Sequence, residues 1–282
     1  NYCIGVPTET VYGLAANAYS HQAIKRIFRL KKRPKSNPLI VHYSNISDLK
    51  KDCILNKKFR KLYKKFSPGP ITYILNLSKS SKISKIVTNN NKSLAVRFPK
   101  HRIFKRLLSK LNYPLAAPSA NIFSKLSPVQ ASDVKEDFGN KIKYILDGGK
   151  SKIGLESTII DIRKEPKILR LGGLEVSKIK KILGGKIKIN INPKKIFSSG
   201  QSRLHYSPGI PLRMNVTKVK KNEAYLLLKI SKKNNLKQAA KNLYSSLRKI
   251  KNKGYKSIAV EKIRNIGIGQ SINDRLKRAS KF

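Results

Sequence analysis

Short apolar segments of strand length alternate with amphipathic segments of helical length over the first 184 residues, and this alternation constrains the fold most strongly. In the segment 20–32, for example, Ala23, Ile27 and Leu30 fall on one helical face. Strands separated by helices in this way predict a twisted, mixed α/β sheet. The predicted strands are 2–6, 38–43, 71–77, 94–98, 114–118, 143–147, 158–162 and 167–171, and the predicted helices are 20–32, two within 46–66, 101–112, 130–138 and 175–183.

The rest of the chain predicts a linker and a second, smaller domain. Residues 185–215 have no periodicity and hold several prolines, serines and glycines, so we interpret them as a linker that follows a first domain over 1–184. The second domain, 216–282, contains a predicted strand, helix, strand and helix in the order typical of a small Rossmann-like α/β domain. These elements are 224–230, 236–251, 256–260 and 270–280. The isolated Gly267-x-Gly269 does not by itself indicate a dinucleotide site.

The chain is strongly basic, with 48 lysines and 15 arginines against 14 acidic residues and a net charge of +49. Polycations gain affinity for phosphate polymers by releasing counterions, so this charge is compatible with a weak tRNA contact. Arginine, the better ligand for phosphates and base edges, is not enriched, and the charge is spread along the chain. Composition therefore does not indicate a dedicated RNA binder.

Two further features indicate a cytoplasmic protein without membrane contact. No apolar run approaches the roughly 20 residues that span a bilayer. The two cysteines, Cys3 and Cys53, lack the spacing of a metal site or a disulfide framework.

The segment Pro7-Thr8-Glu9-Thr10-Val11-Tyr12-Gly13 follows the first predicted strand. It gathers hydroxyl and backbone donors at the carboxyl end of that strand, where open α/β sheets bind their ligands. The glycine predicts a turn at position 13. A capped connection between a strand and a helix would have the same composition, so this segment alone leaves both interpretations open.

Further segments place cations and neutral donors beside the later strands. They are Lys31-Lys32-Arg33-Pro34 with Asn37-Pro38-Leu39-Ile40-Val41-His42, Ser93-Leu94-Ala95-Val96-Arg97-Phe98-Pro99, Ala116-Ala117-Pro118-Ser119-Ala120-Asn121 with Ser127-Pro128, Gly154-Leu155-Glu156-Ser157-Thr158, and Arg170-Leu171-Gly172-Gly173. Each has an ordinary alternative. Lys31 and Arg33 could lie on a solvated helix face, and Ser119 and Ser127 are good turn formers.

In this order, from about residue 2 to 175, the segments resemble the YrdC-like family of threonylcarbamoyl-AMP synthases. His205-Tyr206-Ser207-Pro208-Gly209 and the glycine turn and helix from Gly267 to Ala279 are similar to the longer, two-domain version of that family. The resemblance implies a twisted mixed-sheet YrdC-like domain with a second, smaller Rossmann-like domain. It also implies a helix before the first motif, which the chain does not contain because it opens almost at that motif.

The resemblance implies that L-threonine, bicarbonate and ATP are joined into threonylcarbamoyl-AMP with release of pyrophosphate. A downstream transferase would pass the threonylcarbamoyl group to tRNA. Mg²⁺ would be carried by the ATP phosphates, with no protein ligand. Positioning and neutralisation of charge by cations would then provide most of the catalysis.

The resemblance also assigns residues to three groups. The catalytic group is Lys31, Arg33, Ser119 and Asn121; the threonine-binding group is Thr10, His42, Arg97, Ala117 and Ser157; and the ATP-binding group is Arg33, Asn37, Ser93, Ser119, Ser127, Arg170 and Tyr206. An arginine at a strand end suits a carboxylate because its guanidinium is a planar fork of donors. Tyr206 could cover the nucleotide or merely dock the linker.

Two other functions are compatible with parts of this pattern. The same fold could be a basic RNA-binding module without catalysis, but such a module would not need a threonine site. A carbamoyl-adenylate-forming relative from hydrogenase maturation shares the domain, but its additional cysteine motifs are absent from the sequence.

Overall fold

The structure is a computed structural model that describes residues 2–191, 205–226, 228 and 235–281. Residues 192–204 of the predicted linker, and residues 227, 229 and 230 of a predicted strand, lie outside the described residues. The described part forms a large mixed sheet flanked by helices and a smaller three-stranded sheet. No helix in this part of the chain is long and apolar enough to cross a bilayer.

The large sheet has eleven strands among the described residues. Their order is β11-β10-β9-β5-β6-β3-β7-β2-β1-β8, and β4 pairs with β5 beside this path. Parallel pairs, such as β3 with β6, stand among antiparallel ones, such as β5 with β6. The strands are β1 Ile4–Val6, β2 Gly13–Asn17, β3 Ile40–His42, β4 Cys53–Ile54, β5 Ile71–Leu77, β6 Ser93–Arg97, β7 Leu115–Ala116, β8 Tyr144–Ile145, β9 Thr158–Asp161, β10 Lys167–Arg170 and β11 Lys188–Ile189.

Several helices of the first domain begin at side-chain caps, namely α1, α2, α3 and α6. The Ser20 hydroxyl accepts a hydrogen bond from the Ala23 amide at the start of α1, and Asn56 caps α3 through the Phe59 amide. Helix α1 ends at Lys32, which has a left-handed backbone with φ of 51°. These helices are α1 His21–Lys31, α2 Ile46–Lys50, α3 Lys57–Phe66, α4 Lys85–Thr88, α5 Arg102–Ser109, α6 Ala131–Phe138 and α7 Val176–Leu183.

The two faces of the large sheet have different environments. One face carries the main core, in which Val41, Val96 and Tyr73 pack against α1 and α3. The other face carries a small apolar floor formed by Ile40, Ile74, Ala95, Ile159 and Leu169. The candidate site lies on this second face, beside the floor.

The second domain is a parallel sheet in the order β12-β14-β13 with two helices. Its elements are β12 Leu212–Arg213, β13 Glu223–Leu226, α8 Leu236–Asn252, β14 Ser257–Val260 and α9 Gly269–Ala279. Strand β12 lies within the segment interpreted above as linker. Its two residues form a strand by pairing with β14, a contact that no local sequence pattern indicates. Its core is continuous with Val11, Leu126, Val129 and Leu155 of the first domain.

Candidate active site

A cleft of about 450 Å³, partly open to solvent, lies where β3 and β6 end. These strands are parallel, and their register places His42 beside Arg97. Seven of the residues assigned above line the cleft, namely His42, Arg97, Ala117, Ser119, Ser157, Arg170 and Tyr206, together with Thr8, Val11, Tyr12, Gly13, Ile40, Pro118, Glu156 and His205. The fold therefore brings together motifs from distant parts of the chain.

The first motif folds into a turn held by threonine hydroxyls. The Thr8 hydroxyl accepts hydrogen bonds from the Thr10 and Val11 amides at 3.0 and 3.2 Å, and it donates to the Val11 carbonyl at 2.7 Å. The hydroxyls of Thr8 and Thr10 are 2.7 Å apart. Thr8 lines the cleft, whereas Thr10 is fully buried and contacts Thr8. Beyond the motif Gly13 begins β2, so the predicted turn at this glycine is wrong.

Arg97 is held from one side by a buried carboxylate. Its Nη2 donates to Glu9 at 2.7 Å and its Nε to the Gly69 carbonyl at 3.4 Å, while the Lys100 amide also donates to Glu9. Arg97 Nη1 makes no hydrogen bond to the described residues, which leaves it available to a ligand. Burial and the Arg97 charge lower the pKa of His42 well below its usual range, so the imidazole is neutral. Its buried Nδ1 has no partner among the described residues.

Ser157 and Arg170 form a second polar wall of the cleft. The Arg170 guanidinium donates to the Ser157 carbonyl and hydroxyl at 3.0 and 3.1 Å. The Ser157 hydroxyl lies 2.7 Å from that of Thr72 on β5. Both Ser157 and Arg170 are buried, so the serine hydroxyl has a defined direction.

Lys31 and Arg33 are buried, which excludes the solvated helix face. Lys31 Nζ donates to the carbonyls of Ser119 and Asn121 at 2.6 and 2.5 Å. Arg33 donates to the Asn37 side-chain oxygen at 2.7 Å and to the Pro38 carbonyl at 3.0 Å. Burial lowers the pKa of Arg33 to about 9 and, together with the Arg33 charge, lowers the pKa of Lys31 well below its usual range. Both side chains are thus bonded to neutral oxygens.

Glu156 is the centre of a buried cluster that joins both domains. Its carboxylate accepts hydrogen bonds from Ser127 at 2.6 Å, from Tyr244 of α8 at 3.0 Å, and from Arg275 of α9 at 2.9 Å. Burial alone would raise the pKa of Glu156, but the charges of Arg275 and Arg170 outweigh it and lower the pKa to about 2. Glu156 is therefore a bound anion and is unsuited to act as a general base.

His205 and Tyr206 complete the wall from the linker side. The Ser207 amide donates to the Ser124 carbonyl at 2.8 Å, which anchors this segment to the first domain. Tyr206 is buried, and its hydroxyl has no hydrogen-bond partner among the described residues although it belongs to the lining of the cleft. A polar ligand in the cleft would satisfy this buried hydroxyl.

Seven of the assigned residues do not line this cleft, namely the buried Thr10, Lys31 and Arg33 described above and Asn37, Asn121, Ser127 and Ser93. Asn37 and Asn121 are buried beside Arg33 and Lys31, and Ser127 is bonded to Glu156. Ser93 lies at the other end of β6, in a second cavity of about 550 Å³ with Asn91, Arg163 and Leu169. The apolar floor connects the two cavities, because Ile40 lines the first and Ile74, Ala95 and Leu169 line the second.

Tyr244 and Arg275, which hold the Glu156 carboxylate behind the cleft, belong to none of the predicted site motifs. Both lie in helices of the second domain, 88 and 119 residues from Glu156. The glycine turn and helix from Gly267 to Ala279 gave the only sequence signal for that region. No group of three or more His, Cys, Asp or Glu residues within the described ranges could hold a metal ion.

Comparison with known families decides what kind of protein this is. A family model for Sua5, YciO and YrdC proteins, described as telomere recombination, matches residues 1–172. A second model, described as the C-terminal domain of threonylcarbamoyl-AMP synthase, matches residues 174–281. The chain belongs to the Sua5/YrdC family of threonylcarbamoyl-AMP synthases. The family and its two-domain form are thus as the motifs predicted.

Two curated relatives match this chain over nearly its whole length. The threonylcarbamoyl-AMP synthase of Pyrococcus abyssi is 35% identical over 315 residues, covering 99% of this chain and 90% of the relative. That of Bacillus subtilis is 33% identical over 313 residues, with the same coverage.

Solved structures confirm the predicted fold class. The crystal structure of P. abyssi Sua5 complexed with L-threonine superposes with a TM-score of 0.90 at 33% identity, covering 99% of this chain and 91% of that one. Full-length HypF in a phosphate- and nucleotide-bound form has a TM-score of 0.55 at 19% identity over 61% of this chain and 27% of HypF, which shows a shared fold only.

Proposed function

We propose that this protein is an L-threonylcarbamoyladenylate synthase that makes threonylcarbamoyl-AMP and pyrophosphate from L-threonine, bicarbonate and ATP. The observation that carries the proposal is the cleft, in which a strand-end arginine with an available nitrogen lies beside a neutral histidine and a second buried arginine, Arg170. The names of the relatives and the threonine complex of P. abyssi Sua5 support it.

Threonine would bind with its carboxylate at Arg97. Glu9 holds one side of the guanidinium, so Nη1 provides the donor for the ligand. The Ser157 hydroxyl and the backbone at Ala117 line the same cleft and would contact the remaining polar groups of threonine. The neutral His42, with its unpartnered Nδ1, adds an acceptor or donor without a competing charge.

ATP, with Mg²⁺ on its phosphates, would bind across the neighbouring cations. Arg33, Arg170 and the Lys31-ordered turn at Ser119 supply positive charge and neutral donors, and Asn37 Nδ2 is a buried donor without a partner among the described residues. The second cavity, with Ser93 and the apolar floor, is suited to the uncharged part of the nucleotide. The carboxylates of the site, Glu9 and Glu156, are already in ion pairs, so the metal would be held by phosphate oxygens.

The reaction has two steps, each of which forms one bond and breaks another. The threonine amine attacks the carbon of bicarbonate, which loses water and leaves a carbamate. A carbamate oxygen then attacks the α-phosphorus of ATP, and the bond to the β-phosphate breaks to release pyrophosphate. The charge that spreads over the α-phosphate oxygens is stabilised by the buried arginines.

The product would pass to a threonylcarbamoyl transferase for tRNA modification, in a cytoplasmic setting. Two buried cysteines that are both free are compatible with a reducing compartment. The tRNA itself would contact this protein weakly through the dispersed positive charge.

The deciding experiment is release of pyrophosphate from ATP by the purified chain. We expect release that requires both threonine and bicarbonate, with threonine replaced by valine and serine as controls. The alternative, an RNA-binding module of the same fold without catalysis, predicts no release under any condition. Release that ignores threonine would also contradict the proposal.

A further inference from the structure

The second domain places two side chains directly behind the wall of the cleft. Tyr244 and Arg275 belong to α8 and α9, and both are fully buried against Glu156, which lines the cleft. Arg275 also donates to the Leu171 carbonyl of the first domain at 2.7 Å. These contacts reach from the second domain to the motif that precedes β9 and to the one that follows β10.

The same two side chains enclose the linker tyrosine. The Tyr206 ring stacks on that of Tyr244 with centroids 5.9 Å apart, and the Arg275 guanidinium carbon lies 4.8 Å from the Tyr206 centroid. The ring centroids of His205 and Tyr206 are 4.1 Å apart. Cation–π and stacking contacts of this kind fix both the position and the plane of an aromatic ring.

The backbone of Tyr206 shows that this position is imposed from outside. Its φ is 63°, a left-handed conformation that is rare for a bulky residue. Residues in such conformations persist only where their surroundings determine them, and they concentrate at functional sites. The surroundings of Tyr206 include Arg275 and Tyr244, so the second domain provides much of the constraint.

We propose that Arg275 and Tyr244 are positioning residues for the nucleotide side of the cleft. They hold the Tyr206 ring in the cleft wall and fix the Glu156 carboxylate that orients the Ser127 hydroxyl. The inference rests on the proposed function, and it makes the second domain an integral part of the site.

The first test observes Tyr206 directly and does not depend on activity. The protein is labelled with 3-fluorotyrosine, and the Tyr206 resonance is assigned by its loss in Tyr206→Phe. We expect this resonance to shift and sharpen toward that of a solvated tyrosine in Arg275→Lys and in Tyr244→Phe. Arg278→Lys is the matched control, because Arg278 lies in the same helix, is also buried and also pairs with Asp274, but donates to the Ile191 carbonyl where Arg275 donates to Glu156.

The second test measures pyrophosphate release. We expect Arg275→Lys to lower kcat/KM for ATP by about tenfold or more, since small displacements of positioned groups have effects of this size. Threonine binding without ATP should stay within about twofold, as should all parameters of Arg278→Lys. Tyr206→Ala combined with Arg275→Lys should be no slower than the slower single variant, because one residue acts through the other.

An unmoved Tyr206 resonance in Arg275→Lys and Tyr244→Phe would overturn the inference, as would kinetic effects that multiply in the double variant. Tyr244→Phe removes only a hydroxyl, so it keeps the test decisive if Arg275→Lys does not fold. A wild-type protein that lacks threonine-dependent pyrophosphate release would contradict the proposed function, whereas the fluorine spectra would still decide the positioning role.

Discussion

The individual charged side chains of the site have two kinds of hydrogen-bond partner. Glu9 and Glu156 bind Arg97 and Arg275 as close ion pairs, whereas Lys31 and Arg33 bind neutral oxygens. A buried cation bonded to a neutral oxygen keeps its attraction for an anion. A buried ion pair instead fixes geometry, and breaking it leaves an uncompensated charge.

Arg97→Lys tests the proposed threonine carboxylate site with less damage than removal of the charge. Lysine can still pair with Glu9 but loses the planar guanidinium and its available nitrogen. We expect threonine binding to weaken by about 2 kcal/mol, the typical contribution of a hydrogen bond to a charged group. Calorimetry without ATP measures it, and ATP affinity serves as the control. Unchanged threonine affinity would contradict the assignment of Arg97.

Glu156 predicts a pH dependence of stability. Its folded pKa of about 2 lies below the ordinary value of 4.5, so its stabilisation is complete above about pH 4.5 and is lost as the pH falls toward 2. The shift corresponds to at most about 3 kcal/mol. Denaturant unfolding of wild type and of Glu156→Gln is measured over a pH series from about 6 to about 2.5, which brackets this window. The free energy of unfolding should fall less steeply with decreasing pH in the variant than in wild type. Equal slopes would refute the prediction.

At the scale of elements, pairing decided structure where local signals were weak. The sequence of β2, Gly-Leu-Ala-Ala-Asn, contains no β-branched or aromatic residue, and we predicted a turn at its first position. It is a strand because β1 pairs with it on one side and β7 on the other. Strand β12 likewise forms through β14, although its residues read as linker.

The approach of α8 to the Glu156 loop gives a prediction at this scale. A Cβ on Gly154, whose φ is +76°, would lie 2.6 Å from the Lys241 Cα of α8. Gly149 has a similar φ of +71° but nothing within 4 Å, so it is a matched control. Gly149→Ala should lose about 1 kcal/mol of unfolding free energy, and Gly154→Ala roughly 2–4 kcal/mol, from overpacking added to the same backbone cost.

Thermal unfolding of both glycine variants measures this difference. We also expect Gly154→Ala to reduce pyrophosphate release, because a displaced α8 carries Tyr244 away from Glu156. Equal melting temperatures for the two variants would show that α8 does not pack closely on this loop.

At the scale of the whole molecule, the two domains share one interface of apolar and ionic contacts. Besides the Glu156 cluster, Arg248 of α8 pairs with Asp137 of α6 at 2.8 Å, and the Ser271 hydroxyl donates to the Gly172 carbonyl at 2.9 Å. Val11 and Leu155 lie in the same apolar cluster as the core of the second domain. The second domain is thus packed on the segments that form the cleft.

The net charge of +49 predicts salt-sensitive RNA binding without sequence preference. Affinities for a tRNA and for an unrelated RNA duplex should fall together as salt rises, because only phosphates are contacted. Filter binding over a salt series measures both slopes, with pyrophosphate release at the same salt concentrations as a control for the integrity of the fold. A clear preference for a tRNA at physiological salt would instead favour the RNA-binding module.

The amino-acid sequence is enough to predict the family, the alternation of strands and helices, and the motifs from which the cleft is made. Those features depend on local patterns and on the order of short segments, which a single chain displays directly. The partners of the charges, in contrast, depend on the tertiary fold. Glu156 meets Arg275 across 119 residues of sequence, and Arg97 meets Glu9 across 88, so neither pair leaves a local pattern. Burial, which makes these pairs strong and keeps Lys31 out of solvent, is a property of the packed domains.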